Sequence, residues 1–393
     1  MNTIEFFFWL FVLVVFYSYL GYGILLWVLV KFKSKVKKKN IVSNTENFVP
    51  AVTLIIPAFN EEDFIQEKIE NTISLDYPKD KLRIIFITDG STDRTPEIIS
   101  GYGDIKLMHS DERKGKVAAM NRAMKMVDTP YVIFCDANTL LNKAALKEIL
   151  KHYADPGVGG VAGEKKVIDL GNSNSAGEGE SLYWKYESTL KKLDSEFYTV
   201  VGAAGELFSF RTALYDVVEE DTLLDDFMIS LRICQKGYRV LYEPKAFAME
   251  KPSADIKEEQ KRKIRISAGA FQSMLRLTAI LNIYRYPKLS FQYVSHRALR
   301  WAICPFLLPI IFLLNIVLVE TSNHDIYKCT FFLQCIFYLM AVLGWLVSRS
   351  GRKARLLNFP YYFVFMNISL YLGLAKFLNG RQTVLWEKAK RKV

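Results

Sequence analysis

Cysteine is scarce: five residues in 393, at positions 135, 234, 304, 329 and 335. Their spacing is neither that of a disulfide framework nor that of a zinc site, which excludes a stapled scaffold and fits a reducing compartment. Acidic side chains are in deficit, 41 against 52 basic ones, for a formal net charge of +11. Such a surplus suits nucleic acid, anionic lipid headgroups or phosphorylated substrates. Because the extra Lys and Arg lie largely beside apolar runs, no nucleic-acid partner is expected. Charge of either sign is missing from 6–30, a stretch long enough to span about 30 Å of hydrocarbon. It also lacks the basic start and small-residue cleavage site of a signal peptide, so it reads as an uncleaved anchor. What is present is a balance. With 51% hydrophobic residues the chain is too apolar to be disordered, and with 24% charged residues it is not only a transmembrane bundle. The expectation is a soluble domain attached to membrane segments.

The basic block Lys31, Lys33, Lys35, Lys37, Lys38 and Lys39 follows the anchor and is expected to stay in the cytoplasm, leaving the N-terminus outside. Three further apolar runs occupy 301–319, 329–347 and 359–378. The first two flank a short polar loop and read as a transmembrane hairpin, backed by Arg349, Arg352, Lys353 and Arg355. Length and apolarity make the third run a span. That would place the basic tail (Lys388, Lys390, Arg391, Lys392) outside, against the charge rule, whereas an interfacial placement would keep it inside. The stretch 256–300 is basic and apolar together (Lys261, Arg262, Lys263, Arg265, then Phe271, Met274, Leu275, Leu277), the pattern of amphipathic helices lying at a membrane surface. The division is therefore 1–30 anchor, 31–49 basic linker, 50–255 soluble domain, 256–300 interfacial helices, 301–380 membrane region and 381–393 basic tail. The expected location is the cell (inner or cytoplasmic) membrane, multi-pass, with the domain cytoplasmic.

Within the domain, apolar strands at 52–56, 82–88, 105–109 and 131–135 alternate with helical stretches at 61–74, 94–100, 115–127 and 142–152. This rhythm predicts an α/β fold with a parallel sheet covered on both faces. Ligands of such sheets sit beyond the carboxyl ends of the strands. Those ends are polar: Pro57-Ala58-Phe59-Asn60-Glu61, Asp89-Gly90-Ser91-Thr92-Asp93 and Asp136-Ala137-Asn138. Each alone is ordinary turn and cap chemistry. Three on one sheet edge gather carboxylates that repel unless a cation or polar ligand offsets them. Asp136 and Asn138 put two oxygen donors two residues apart, which suits a hard divalent ion that also grips phosphate.

These motifs, with Lys114-Gly115-Lys116 and Asn121, Gly202 to Glu206 and Leu224-Asp225-Asp226-Phe227 in the same order, resemble the family 2 inverting glycosyltransferases. The resemblance is to the membrane-embedded branch that includes hyaluronan, chitin, cellulose and poly-N-acetylglucosamine synthases, and it covers about 50–275. It implies a GT-A (Rossmann-like) nucleotide-binding domain and a UDP-sugar donor. By position it implies that Ala58, Asn60 and Glu61 line the uridine and ribose pocket, that Asp89 meets the base, and that Lys116 meets the diphosphate. It makes Asp136 the first residue of the Asp-x-Asp metal motif for Mg²⁺ or Mn²⁺, with Asn138 in the second place, where an amide binds with less charge. Asp226 takes the place of the general base with Asp225 in support, and Gly202, Ala203, Ala204, Gly205 and Glu206 form the acceptor floor. The family's Gln-x-x-Arg-Trp motif is matched only by Gln260 to Ile264, with Lys263 in the Arg place and Arg265 next to it as a donor-phosphate contact.

The resemblance implies transfer from a UDP-sugar to a growing polysaccharide, with membrane lipids and export subunits as partners. A second reading is transfer of one sugar to a lipid-linked acceptor, favoured by four or fewer spans and the altered Arg-Trp motif. A third, a non-catalytic nucleotide-sugar-binding subunit, is opposed by Asp89, Asp136 and Asp226.

Overall fold

The computed structural model describes residues 2–36, 48–168, 175–251, 256–349, 355–380 and 383–385. Of the topology signals, positions 37–39, 352–353 and 388–392 lie outside the described residues.

Eight strands form one sheet: β1 (Val52–Ala58), β2 (Leu82–Thr88), β3 (Lys106–Met108), β4 (Tyr131–Cys135), β5 (Thr139–Leu141), β6 (Val158–Val167), β7 (Leu207–Arg211) and β8 (Arg239–Glu250). Their order is β3-β2-β1-β4-β7-β6-β8-β5. The expected parallel half is present: β1 pairs in parallel with β2 (Val52 opposite Leu82) and with β4 (Val52 opposite Tyr131), and β2 with β3. Beyond β4 the sheet is mixed rather than parallel throughout, although β6 pairs with β8 in parallel. β7 runs antiparallel to both β4 and β6, and β5 antiparallel to β8. Between β6 and β7 the helix Ser175–Phe197 packs on the first and last membrane-length helices and also on β8.

All seven residues of β1 are buried, as a strand covered on both faces requires. Side chains alternate across it. Leu54 and Ile56 pack with Ile65, Ile69, Ile133 and Leu146 on one face; Ile55 packs with Met120, Val132, Phe134 and Met228 on the other. Each such buried Leu, Ile or Phe contributes roughly 1.5–3 kcal/mol. The helices Ile65–Ile73, Thr95–Ser100, Lys116–Met124 and Ala145–Leu150 fall inside the expected stretches. The first starts at 65 because a turn intervenes, the Glu61 carbonyl accepting from the Phe64 and Ile65 amides.

Four helical stretches are long and apolar enough to cross a membrane: Thr3–Lys35, Pro287–Thr321, Asp325–Arg349 and Leu356–Leu378. The second begins well before position 301, so 287–300, read from sequence as interfacial, continues into a membrane-length helix. The first and second are each widened by a π-helical stretch, Tyr17–Gly21 and Val294–Ile303. Only Ile256–Arg276 remains as a long amphipathic helix. It lies against the last membrane-length helix, where Gly373 lets the two approach; a Cβ there would sit 2.9 Å from the Ala268 amide nitrogen. Small residues at such crossings let helix backbones pack closely.

Candidate active site

The turn after β1 is tied to the turn after β2 by Asn60. Its backbone is left-handed (φ 53°), a conformation Asn tolerates better than most residues. Its side-chain oxygen accepts from the Thr92 amide at 2.8 Å, and its amide donates to Ser91 Oγ at 3.2 Å. Asp89, at the end of β2, is fully buried. Its carboxylate accepts from the Lys114 amide at 3.1 Å and the Gly115 amide at 2.6 Å. Gly115 has φ 100° and precedes the helix Lys116–Met124. Asp89 thus anchors the start of that helix, and Lys116 is its first residue.

From there Lys116 Nζ donates to Asp136 Oδ1 at 2.9 Å, just past β4, and lies 3.6 Å from Asp225 Oδ2. Burial alone would lower its pKa, but Asp136 and Asp225 outweigh it and raise the pKa, so the ammonium stays charged. Asp225 and Asp226 open the helix Asp225–Gln235, where negative charge favours the helix dipole. For Asp226, burial and then the charge of Asp225 push the pKa up to about 7.

Gly205 lies beneath this group, since a Cβ added there would sit 3.6 Å from both the Asp226 carboxylate and Lys116 Nζ. Next to it, Glu206 accepts from Lys165 at 2.8 Å. Burial opposes its charge, yet Lys165 outweighs that and holds Glu206 below the usual carboxylate range.

These groups head a cavity of about 1340 Å³. Of the residues singled out from sequence, Glu61, Lys116, Asp136, Asn138, Ala203, Ala204, Gly205, Glu206, Asp225, Asp226 and Arg265 line it. Ala58, Asn60, Asp89 and Gly202 are not among its lining residues. Sequence reasoning missed several that are, including Phe59, Trp184, Glu187, Arg297, Arg300 and Trp301. Phe59 carries the Arg113 guanidinium 3.8 Å above its ring. The arginines had a legible signal, because charges inside a membrane-length helix are costly and mark functional positions. Trp184 and Glu187 had none, lying on a helix whose partners are distant in sequence.

Residues 53–218 match glycosyl transferase family 2. The poly-beta-1,6-N-acetyl-D-glucosamine synthase of Staphylococcus aureus (strain MSSA476) is 27% identical over 233 residues, 57% of this chain and 56% of that one. The synthase of the same name from Staphylococcus epidermidis is 26% identical over 244 residues, 60% and 58% of the two chains. The matching region spans a little over half the length of these curated relatives. In fold, the chain is similar to a mannosyltransferase from Pyrobaculum calidifontis solved with GDP-Man and Mn²⁺, with a TM-score of 0.73, 22% identity, and 96% of this chain and 100% of that one covered. The α/β sheet set beside membrane-length helices thus has the fold of that mannosyltransferase, and within it residues 53–218 match the model of glycosyl transferase family 2.

Proposed function

We propose that the protein is a membrane-bound inverting glycosyltransferase that passes a sugar from a UDP-sugar donor to a growing β-linked polysaccharide. The observation that carries this reading is the gathering of Lys116, Asp136, Asp225 and Asp226 over Gly205 at the head of one cavity. The polysaccharide acceptor is taken from the synthases the chain resembles.

The cavity admits the donor beside Glu61, with Phe59 on the same wall. Lys116 sets a positive charge where the diphosphate would lie, and Asp89 holds the helix start that aims it. Ala203 to Glu206 form the acceptor floor, small residues there letting a sugar ring approach the backbone. Asp226 takes the proton of the acceptor hydroxyl as its oxygen attacks C1 from the side opposite UDP. The C1–O bond then breaks and UDP leaves with the electron pair. One carboxylate suffices, and a pKa near working pH suits a general base.

A divalent ion fits the donor set. Asp136 and Asn138 supply hard oxygen ligands on the cavity wall, suited to Mg²⁺ or Mn²⁺. Among the described residues no three His, Cys, Asp or Glu side chains form a cage for a metal, so donor phosphate oxygens would complete its coordination. When bound, the ion would offset the charge growing on the departing diphosphate.

The domain faces the cytoplasm in this reading, since Lys31, Lys33 and Lys35 end the first membrane-length helix. Lys33 Nζ also docks that end on the domain, donating to the Glu196 and Phe197 carbonyls at 2.7 Å. The test uses the protein in nanodiscs with Mg²⁺ or Mn²⁺ and UDP-glucose, UDP-N-acetylglucosamine, UDP-galactose or UDP-glucuronate in separate reactions. UDP release with a carbohydrate ladder is expected from one donor. Absence of both UDP binding and UDP release for every donor would overturn the reading.

A further inference from the structure

Lys68 is fully buried on the helix Ile65–Ile73. A lysine is almost never buried to that degree unless an acid pairs with it. Among the described residues, the partners of this one are a sulfur and a carbonyl: its Nζ donates to Cys135 Sγ at 3.0 Å and to the Thr139 carbonyl at 2.7 Å. Those two residues bracket Asp136, Ala137 and Asn138. Cys135 ends β4 and Thr139 opens β5. One amine therefore closes the turn that carries both oxygen donors of the cavity wall.

The helix grips the far side of the same turn at a second point. Asn71, three residues on and so on the same helix face, donates to the Leu141 carbonyl and accepts from the Leu141 amide, both at 2.9 Å. β5 is the last strand of the sheet, beside β8, and the backbone groups on its outer edge need partners. Lys68 and Asn71 supply them at Thr139 and Leu141, two residues apart along that edge. Inside the turn, Thr139 Oγ1 donates to the Asp136 carbonyl at 2.9 Å and lies 3.4 Å from Cys135 Sγ. From the cavity side, Lys116 holds the Asp136 carboxylate. Covering a strand edge needs no lysine, since a neutral amide such as that of Asn71 satisfies the same groups. Burying the lysine costs desolvation, and what its reach adds is the tie across the turn, from the residue before Asp136 to the residue after Asn138.

Resting on the transferase reading above, in which Asp136 and Asn138 hold a divalent ion together with the donor phosphates, we infer that Lys68 is a positioning residue for that ion. It touches neither ion nor donor, and sets the spacing of the two ligand residues from behind the turn. Groups behind metal ligands fix ligand orientation and so tune affinity. A site with few protein ligands, one of them an amide in place of a carboxylate, has little charge with which to offset a misplaced oxygen. The same helix also begins beside the cavity: Glu61, whose carbonyl accepts from the Phe64 and Ile65 amides at 2.9 and 2.8 Å, lines it just ahead of the first turn. In this reading the helix Ile65–Ile73 links the nucleoside side of the cavity to the ion side.

The test is titration of Mn²⁺ into the full-length protein with UDP bound, in neutral detergent, read by electron paramagnetic resonance. Lys68→Met keeps most of the side chain's length and removes its donor. It should raise the Mn²⁺ Kd about tenfold or more, the range in which groups behind metal ligands act, and leave UDP affinity in EDTA unchanged. Thr139→Val keeps the shape of the turn and removes the bond to the Asp136 carbonyl. It should raise the Mn²⁺ Kd in the same way, and it decides the matter where Lys68→Met does not fold. Ile69→Ala truncates the core on the same helix; it should lower the melting temperature and keep the wild-type Kd, because it leaves the turn untouched. A wild-type Kd in folded Lys68→Met and Thr139→Val proteins would overturn the inference, as would an equal loss of affinity in Ile69→Ala. A wild-type UDP complex that takes up no Mn²⁺ would also overturn it, while the UDP binding itself keeps the transferase reading in place. Wild-type protein that neither binds nor releases UDP would instead remove the transferase reading, and this inference with it.

Discussion

Lys116 Nζ stands 2.9 Å from Asp136 Oδ1, although the two side chains leave the backbone from different βα units. The contact places one positive charge among three carboxylates before any donor arrives. With Asp225 3.6 Å away on its other side, the ammonium offsets repulsion that would otherwise protonate one of the acids. Lys116→Met is expected to lower turnover on the order of 10²-fold, the usual cost of removing one electrostatic contact in a closed site. The midpoint of its pH–rate profile should move upward, because Lys116 opposes the rise in the Asp226 pKa. An unchanged midpoint would separate Lys116 from Asp226.

In the proposed mechanism Asp226 sets the pH dependence of transfer. The general base must be ionised, and the Asp226 pKa is pushed up to about 7 by burial and Asp225. The logarithm of kcat/KM is expected to rise with unit slope up to about pH 7 and to level above it. Asp226→Asn should abolish transfer and leave UDP affinity, followed by calorimetry, almost unaltered. Stability gives a second readout. With its pKa in the folded protein raised above that of an ordinary aspartate, the native state holds the proton more tightly, so stability from this group falls as pH rises from about 4 through 7. The Asn variant should therefore melt higher than wild type at pH 8 and show a smaller gain at pH 4.

Gly202 fixes the entry to the same helix from the other side. Its φ of 91° is in the left-handed region, and the Phe227 ring occupies the space a side chain would need. Gly202→Ala should cost about 1–3 kcal/mol from strained backbone and displace Phe227, the residue beside Asp226. Thermal unfolding and kcat should fall together, with UDP affinity retained. A folded variant of normal kcat would show that the Phe227 position is not needed.

Part of this architecture was legible from residue order because the physics is local. Strands 82–88 and 131–135 stand where predicted, as continuous apolar runs bounded by turn residues need no distant partner to be recognised. The stretch 158–167 contains three glycines and, near its end, the charged run Glu164-Lys165-Lys166. It becomes β6 only because β7 and β8 flank it, and its neighbours are set by long-range pairing. The acids of the site were visible as strand-end and helix-start residues. The wall formed by Glu187, Arg297 and Arg300 was not, since its ion pairs join positions more than a hundred residues apart.

That wall should also fasten the domain to the membrane helices. Glu187, on the domain side, touches His296, Arg297 and Arg300, all on the helix Pro287–Thr321. Burial works against its charge, but Arg297 and His296 outweigh it and hold the carboxyl well below its usual range. A group held low contributes stability above about pH 4.5 that is lost only as pH falls toward its folded pKa, so its contribution should be constant from pH 5 to 8. Removing one member of such a buried network leaves the others uncompensated, at a cost of about 3–5 kcal/mol. Glu187→Ala is expected to lower the melting temperature in detergent by that loss at both pH 5 and pH 8. Glu187→Gln, which keeps volume and a hydrogen-bond acceptor, should recover part of it. The double variant Glu187→Gln with Arg297→Met removes a positive charge with the negative one and should be more stable than Glu187→Gln alone. If the double variant instead loses the sum of the two single effects, Glu187 and Arg297 act independently and the ion pair is not what holds the domain to its membrane helices.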